Sequence, residues 1–405
     1  MTSLNTPSRW LIATALIFTS CGPIATPIIG PGTTAPPPTV TTAPINPSTA
    51  PLQGLALTRL TTGLEWPVAA TVAPSDGRLF VVEKEGFVRI VDGPTAHPTP
   101  FLDITDKVGD EHAEQGLVGL VFHPQYESNG RAFVYYTRED WSTALVEYTA
   151  GEDGDHLDPD SARILFTLDQ PHPAHNGADL AFGPDGYLYV SLGDGGVTFE
   201  ANAQQPHDIR GTILRLDVDS SAPYAIPPDN PFADGDAGAP EVWVYGLRNP
   251  WRFAIDQQTD QVFISDVGFE RWEEVNVIDL AADGGSNFGW AVVEGPECFE
   301  AETCDRTDLI PPVLSVEHVR TCALIGGPVY RGAAIPELNG HYFYGDFCVG
   351  WVRSFLFVDG KITEETTWSD DFGEPGQITS FATDSNGEIL ILLQNGEIHR
   401  IDPVR

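Results

Sequence analysis

Basic residues are scarce in this sequence. It contains 21 lysine and arginine residues against 58 aspartate and glutamate residues, which gives a formal net charge of -37. A surface of this sign repels phosphate backbones and anionic lipid headgroups, so the composition argues against a nucleic-acid partner. The acidic residues are typical of the solvated coat of an exported protein, and the alternative is that some of them bind a cation such as calcium.

Long hydrophobic runs are also absent, apart from one short stretch near the N-terminus. Arg9 precedes an apolar run from Trp10 to Phe18, and two small residues then lead to Cys21. The run is too short to span a bilayer, and residues 1–21 are predicted to be an export signal. The ending resembles a bacterial lipobox, which predicts a lipidated Cys21, whereas the alternative is an ordinary secretory signal cut nearby.

Residues 22–53 contain too little apolar surface to fold. The segment is rich in proline and threonine, as in TTAPPPTVTTAP, and favours extended polyproline conformations. We interpret it as a tether between the signal and the folded domain. The predicted location is therefore periplasmic or at the cell surface, and the predicted membrane contact is the lipid anchor alone.

Cysteine is rare as well. Four of the five cysteines remain if Cys21 carries lipid, and an even number in an exported chain indicates disulfides. Of the three pairings, we predict Cys298 with Cys304, which flank a short loop, and Cys322 with Cys348, which lie in one C-terminal region. Metal ligation is the alternative, but the sequence has no CxxC pair to support it.

Helical periodicity is scarce too, and the sequence instead repeats one short pattern that is typical of β-strands. We call this pattern the recurring phrase. A polar turn is followed by a short strand rich in β-branched and aromatic residues, as in APSDGRLFVVEKEG and FGPDGYLYVSLGDG. Its six copies begin at Ala73, His123, Phe182, Asp256, Glu337 and Thr383.

Six copies over more than three hundred residues indicate a radial repeat. Early copies are spaced by about the length of a four-stranded propeller blade, so residues 54–405 are predicted to form an all-β, six-bladed propeller. A β-sandwich or barrel is the alternative, but neither accounts for the recurring phrase. Because each blade contributes loops to one face, the site residues should be scattered along the sequence.

The stretch most suited to catalysis is QPHPAHNGADLAFGPDGYLYVSLGDGG. A neutral imidazole such as that of His175 can accept a proton from a hydroxyl, and a carboxylate such as Asp194 can orient the ring and raise its basicity. On residue type alone, the pair formed by His172 and His175 and the GDGG loop are more typical of structural features and turns.

Several motifs together resemble one family. HNGADLAFGPDGYLYVSLGDGG, GTILRLDV, YGLRNPWRFAID, DVGFERWEEVN and SNFGW occur in the order found in the glucose/sorbosone dehydrogenase family, the soluble quinoprotein sugar dehydrogenases. The resemblance covers most of residues 54–403. The family also includes the propeller of hedgehog-interacting proteins, which bind a protein ligand.

The resemblance implies specific site residues. A histidine at the position of His175 removes the hydroxyl proton as hydride passes to pyrroloquinoline quinone (PQQ), and an aspartate at the position of Asp194 assists. The arginine and asparagine beside the quinone match Arg248 and Asn249, where a guanidinium can stabilise developing negative charge. In the family, a calcium ion is held partly by two backbone carbonyls, and the matching residues in this chain are Gly268 and Phe269.

The sequence also departs from the family at the substrate and cofactor positions. A substrate-side glutamine aligns with Glu114, or with Gln115 if the register slips by one. The lysine that clamps the quinone carboxylates aligns with Cys348. Two further clamp arginines should fall near residues 376–381, yet the chain has no arginine between Arg353 and Arg400.

The leading prediction is a PQQ- and calcium-dependent dehydrogenase of a sugar or polyol, with an electron acceptor that the sequence does not identify. The alternative from a different class is a non-catalytic propeller that binds a carbohydrate or a protein, as the hedgehog-interacting type does. A third alternative is a calcium-dependent lactone hydrolase, in which a central metal activates water.

Overall fold

Six sheets of four antiparallel strands make up the folded part of the chain. The computed structural model describes residues 50–405 except 75, 178, 197–201, 320 and 374. The predicted signal peptide, the lipidated Cys21 and the tether as far as residue 49 lie outside the described residues. The prediction of an all-β, six-bladed propeller is confirmed.

Four of the six blades use four consecutive strands. Around the central channel, first strands of neighbouring blades contact one another, and the first strand of the fourth blade contacts the second strand of the third. The strands of the first three blades are β2 (Pro67–Val72), β3 (Leu79–Glu83), β4 (Phe87–Val91) and β5 (Leu102–Asp103); β6 (Leu117–Phe122), β7 (Arg131–Thr137), β8 (Thr143–Ala150) and β9 (Leu157–Leu168); and β10 (Leu180–Phe182), β11 (Leu188–Leu192), β12 (Thr212–Leu216) and β13 (Val242–Tyr245).

The fourth blade contains an excursion between its third and fourth strands. This excursion carries the small hairpin of β17 (Val293–Glu294) and β18 (Glu297–Cys298). The strands of the last three blades are β14 (Pro250–Asp256), β15 (Gln261–Asp266), β16 (Trp272–Asp279) and β19 (Leu314–Glu317); β20 (Leu324–Val329), β21 (His341–Asp346), β22 (Val352–Val358) and β23 (Lys361–Thr367); and β24 (Ile378–Thr383), β25 (Ile389–Leu393), β26 (Ile398–Val404) and β1 (Gly54–Thr61).

The recurring phrase is the turn between the first and second strands of each blade. In every copy one residue of this turn has a positive φ, a conformation that glycine adopts without steric cost and that aspartate tolerates. The six residues are Gly77, Gly130, Gly186, Asp260, Gly340 and Gly387, with φ values between 56° and 92°. One turn per blade explains why the repeat is visible in the sequence.

The ring is closed by strands from the two ends of the folded domain. β1, which begins at Gly54 where the propeller was predicted to start, pairs antiparallel with β26 from Gly54 opposite Val404 to Thr61 opposite Ile398. The last blade therefore has the order β1, β26, β25, β24. The pairing removes the exposed edges that an open ring would leave.

A buried arginine ties the inner strands together inside the channel. Arg252 on β14 is 4% exposed and donates hydrogen bonds to the carbonyl of Val68 at 2.5 Å and to Oγ of Ser380 at 3.1 Å, on two other inner strands. Burial lowers its pKa, which the charge of the buried Asp179 partly offsets. This network holds the inner strands together next to the loop that carries Asn249.

Among the residues that the structure describes, helical structure is limited to single turns. They are α1 (Tyr126–Asn129), α2 (Ser369–Phe372) and a 3-10 turn at Pro336–Leu338. Across the described ranges, no helix has the length and apolar character needed to cross a membrane.

Two disulfides fix loops of the last blades. Cys298 is bonded to Cys304 with a Cα–Cα distance of 5.6 Å, and Cys322 is bonded to Cys348 with a distance of 5.8 Å. Both predicted pairings are confirmed.

Candidate functional site

The residues predicted to act in catalysis or to bind substrate, cofactor or metal lie in loops at one end of the channel. His175 precedes the inner strand β10, Asn249 precedes the inner strand β14, and Glu114 precedes the inner strand β6. Asp194 follows β11 and Gly268 follows β15, the second strands of their blades. Because antiparallel neighbours reverse direction, the start of a first strand and the end of a second strand meet at the same end of a blade.

His175 and Asp194, which we call the dyad, are in direct contact. His175 Nδ1 lies 2.7 Å from Asp194 Oδ1, and the histidine adopts a left-handed φ of 58°. The side chains are 16% and 8% exposed. Nε2 forms no hydrogen bond with any residue that the structure describes, so this nitrogen remains available to a ligand.

Asp194 is held from three sides. Besides the histidine, its carboxylate accepts the indole N–H of Trp290 at 2.8 Å and the backbone N–H of Gly196 at 2.9 Å. Burial alone would raise the pKa of Asp194, but the bonds from His175, Gly196 and Trp290 outweigh it and hold the pKa below its ordinary value. The aspartate is therefore ionised, and its carboxylate accepts a hydrogen bond from the imidazole N–H at Nδ1.

Trp290 is a site residue that sequence reasoning missed. It lies in the SNFGW motif and is 6% exposed. A buried indole N–H needs an acceptor, but the SNFGW motif itself does not identify Asp194, which lies 96 residues away in the sequence.

Glu114, rather than Gln115, reaches the dyad. Glu114 Oε2 accepts the backbone N–H of His175 at 2.7 Å and the side-chain N–H of Asn249 at 3.0 Å. Gln115 is 2% exposed, and its Oε1 accepts the backbone N–H of His112 at 3.0 Å. The carboxylate thus joins the histidine loop to the Arg248–Asn249 loop.

Arg248 is packed against aromatic rings beside the dyad. Its guanidinium carbon lies 5.7 Å from the ring centre of Phe269 and 5.5 Å from that of Trp290, and one terminal N–H donates to the carbonyl of Val267 at 2.8 Å. The Nε atom is buried and has no hydrogen-bond partner in the described part of the chain. A buried donor without a partner is rare and calls for an explanation such as an ordered water or a catalytic role.

Two buried carboxyl groups, those of Asp266 and Glu274, lie beneath the loop that carries Arg248 and Asn249. Asp266 accepts the backbone N–H groups of Arg248 at 2.9 Å and Asn249 at 2.6 Å, and Glu274 lies opposite it on β16. Burial raises the pKa of Asp266 to about 7 and, with the added repulsion of Asp266, raises that of Glu274 to about 8.

The loop predicted to bind calcium is anchored by its amides. Gly268 N–H donates to Glu273 at 3.3 Å, and Phe269 N–H donates to Glu294 at 2.9 Å. Within the described ranges, no group of three or more His, Cys, Asp or Glu side chains is arranged to hold a metal ion. Calcium at the backbone carbonyls of residues 268 and 269 stays a prediction.

An apolar cavity of about 190 Å³, which we call the cup, opens beside Glu114 and Asn249. Its walls are mostly aromatic and aliphatic, and none of the described residues that line it is cationic. They are Trp66, Val68, Ala113, Glu114, Asn249, Trp251, Val267, Ala323, Ile325, Phe347 and Thr379. The cup has less room than the roughly 300–1,000 Å³ of most small-molecule sites.

The cations near the cup already have partners. Lys84 lies 5.1 Å from the ring centre of Trp66 and donates to the carbonyl of Asp110, while Arg252 lies 5.1 Å from the ring centre of Trp251. At the position of the family's lysine, Cys348 is tied to Cys322, next to Phe347 in the cup wall.

Comparison with known proteins gives both enzymes and binding proteins. The Hedgehog-interacting protein of Homo sapiens is 33% identical over 387 residues, which cover 85% of this chain and 52% of that protein. Aldose sugar dehydrogenase YliI of Escherichia coli is 24% identical over 352 residues, which cover 84% of this chain and 91% of that protein. The chain spans about half the length of the curated relatives that it matches at 30% identity or more.

The fold has a close counterpart among solved structures. The PQQ-bound form of aldose sugar dehydrogenase from Streptomyces coelicolor matches with a TM-score of 0.69 and 22% sequence identity, covering 88% of this chain and 100% of that one. The family model described as Glucose / Sorbosone dehydrogenase matches residues 64–400. The chain therefore belongs to the glucose/sorbosone dehydrogenase family.

Proposed function

We propose that this chain oxidises a hydroxyl group of a neutral sugar or polyol, with His175 as the general base. The observation that carries the proposal is the 2.7 Å contact between His175 Nδ1 and Asp194 Oδ1. It holds the imidazole as the tautomer whose Nε2 lone pair can accept a hydroxyl proton. The enzyme relatives in the family support the same reaction class.

The polar residues around the dyad have distinct roles in this proposal. When Nε2 takes the hydroxyl proton, the ionised Asp194 stabilises the imidazolium that forms. Trp290 and Gly196 keep Asp194 ionised and fixed, and so act as positioning residues. Arg248, with its unpaired Nε, can stabilise negative charge on an acceptor oxygen.

A neutral substrate fits the charges of the site. Oε2 of Glu114 accepts two hydrogen bonds, which leaves Oε1 as an acceptor for a substrate hydroxyl. A carboxylate at this position repels an anionic substrate, in line with the acidic charge of the whole chain. Sugars and polyols offer hydroxyl donors without such repulsion.

PQQ, the cofactor that the family implies, does not fit the residues present. It is a tricarboxylate, whereas the cup is lined by apolar side chains and one carboxylate. None of the described lining residues is a counterpart of the three cations of the family's clamp, and Arg248, whose Nε is unpaired, is not one of the lining residues. Buried anions without charged partners are strongly disfavoured, so the cup is a poor site for PQQ.

The test is turnover with two kinds of acceptor. The purified protein is incubated with a panel of aldoses and polyols and an artificial redox dye, first with PQQ and calcium and then with an uncharged quinone. The proposal expects dye reduction in at least one of the two arms. Absence of turnover in both would overturn it.

His175→Ala supplies the matched test of the general base. We expect a loss of about 10²–10⁴-fold in turnover, the usual contribution of a positioned base, with the melting temperature unchanged. The control is His97→Ala, because His97 also contacts an aspartate, Asp92 at 2.9 Å, but does so on the exposed surface. Equal activity of the two variants would remove His175 from the mechanism.

A non-catalytic binding propeller is the second candidate. The observation that favours it is the cup without cationic residues, together with the relatives of the hedgehog-interacting type. In that case the same aromatic walls would stack against a sugar ring or a partner side chain. The distinguishing result is carbohydrate or protein binding with no turnover in either acceptor arm.

The proposal keeps the predicted exported location. Both disulfides belong to an oxidising compartment such as the periplasm or the cell surface. Lipid attachment at Cys21 remains a prediction, and palmitate labelling of wild type and Cys21→Ala would test it.

A further inference from the structure

The shape and charge of the cup identify a class of hydride acceptor. We infer that the cup takes an uncharged, planar quinone in place of a tricarboxylate, an inference that rests on the proposed oxidation at His175. Three observations support it: the aromatic walls, the absence of a cation among the described lining residues, and the unpaired buried Nε of Arg248 behind Val267.

The walls suit a flat ring system. Trp66, Trp251 and Phe347 line the cup together with the aliphatic Ile325 and Val267. Indole and phenyl rings bind planar conjugated ligands by stacking and edge contacts, and the contact removes apolar surface from water. A volume of about 190 Å³ favours a compact fused ring without bulky substituents.

The charges reject acidic substituents. Glu114 is the one ionisable side chain among the described lining residues, and a ligand carboxylate would face this like charge in a largely apolar space. Lys84 lies over Trp66 and Arg252 lies over Trp251, so cation–π contacts and backbone carbonyls already occupy these two cations.

One donor is sufficient for an uncharged quinone. Arg248 lies behind the cup wall: it donates one terminal N–H to the carbonyl of Val267, a lining residue, at 2.8 Å, while its buried Nε has no partner in the described residues. A quinone develops negative charge on a single oxygen when it accepts a hydride. A tricarboxylate needs several cations before any chemistry begins.

The reaction balances with the quinone as the sole oxidant. The O–H bond of the substrate gives its proton to His175 Nε2, the adjacent C–H bond gives its hydride to the quinone, and a C=O bond forms. The anionic reduced quinone then takes the proton from the imidazolium. The products are the carbonyl compound, the neutral hydroquinone and the regenerated His175.

Binding is measured separately from turnover, so that the two proposals fail differently. Calorimetric titrations use 9,10-phenanthrenequinone, its 2-carboxylate and PQQ, each with and without calcium. The first two probes share a ring system and differ in one charge. We expect the uncharged probe to bind at least tenfold more tightly than either anionic probe. Equal or tighter binding of PQQ would overturn the inference.

Variants locate the binding site. Trp66→Ala should weaken binding of phenanthrenequinone at least tenfold, and Trp66→Phe should restore most of it because it returns an aromatic wall. Trp141→Ala is the control, since Trp141 is 43% exposed and does not line the cup. Equal effects of the two alanine variants would place the probe elsewhere and contradict the inference.

The outcomes separate the inference from the proposed function. Tight binding of the uncharged probe without sugar-dependent reduction would support the cup as a quinone site and reject oxidation at His175. Turnover with PQQ but no binding of the uncharged probe would support the oxidation and reject this inference.

Discussion

The dyad and the cup lie side by side at one end of the channel, yet they differ in how their polar groups are satisfied. Around the dyad, the carboxylates of Asp194 and Glu114 each accept hydrogen bonds of 2.7–3.0 Å from two or more donors. The cup is mostly apolar and has no cationic lining residue among those described. The groups that move a proton and the groups that hold an acceptor can therefore change independently within one fold.

Among changes that test this comparison, the largest effect on cofactor binding should come from placing a cation at residue 348, next to Phe347 of the cup wall. Cys322→Ala combined with Cys348→Lys removes the disulfide and introduces the family's lysine. We expect PQQ to bind about tenfold or more tightly than to the Cys322→Ala, Cys348→Ala control, since a charge-assisted hydrogen bond contributes roughly 1.5–3 kcal/mol. Calorimetric titration measures the PQQ affinity of both double variants.

Stability should fall equally in these two variants. A disulfide that closes a loop with a sequence separation of 26 contributes roughly 3–4 kcal/mol to the free energy of unfolding. Identical PQQ affinity in the lysine and alanine variants would show that charge at residue 348 does not govern cofactor choice.

A smaller effect should come from weakening the dyad alone. Trp290→Phe removes the N–H bonded to Asp194 at 2.8 Å, which raises the pKa of that carboxyl. We expect kcat to fall about tenfold, as for loss of a hydrogen bond to a charged group, with little change in KM. The acid limb of the pH–rate profile should move to higher pH, because Asp194 would protonate sooner.

A buried tryptophan far from the dyad provides the control for this variant. Trp368 is 7% exposed and donates its indole N–H to Ser354 at 3.0 Å. Trp368→Phe should leave the pH–rate profile unchanged. A shifted profile in both variants would mean that the effect comes from general destabilisation.

The smallest expected effect concerns the acids beneath the Arg248–Asn249 loop. The pKa of Glu274 is raised to about 8 in the folded protein from an ordinary value of 4.5, so the folded state retains a proton that the unfolded state releases. Its contribution to stability is complete below about pH 4.5 and is lost as the pH rises towards 8.

Glu274→Gln should remove this pH dependence. We expect its melting temperature at pH 8 to exceed that of wild type by about 2 °C or more, equivalent to roughly 1 kcal/mol, and to match it at pH 4.5. The control is Glu317→Gln, an exposed residue of the same blade. A lower melting temperature of Glu274→Gln at pH 8 would contradict the prediction.

The fold was predictable because the chain repeats its turn chemistry. Each blade needs one left-handed turn between its first two strands, and residues such as Gly77 and Gly186 mark that turn in the sequence. Ring closure was not encoded in this way. The pairing of β1 with β26 depends on long-range geometry that no local pattern records.

The site was predictable where a side chain acts directly and not where it acts through another group. His175, Asp194, Arg248 and Asn249 came from motifs, and the structure brings them together. The choice of Glu114 over Gln115 needed the register of the loop before β6. Trp290 was missed because its role is to fix Asp194, and such support is defined by a partner distant in sequence.

The pairing of β1 with β26 has a consequence for biosynthesis. Thr61 pairs with Ile398, so it can form this pairing only after all the intervening residues have been translated. At about 5–20 residues per second this takes roughly 15–70 s, during which the first strand is synthesised but has no edge to join. The ring cannot close through this pairing until β26 has been synthesised, and a stop codon that removed β26 would leave β1 without its partner strand.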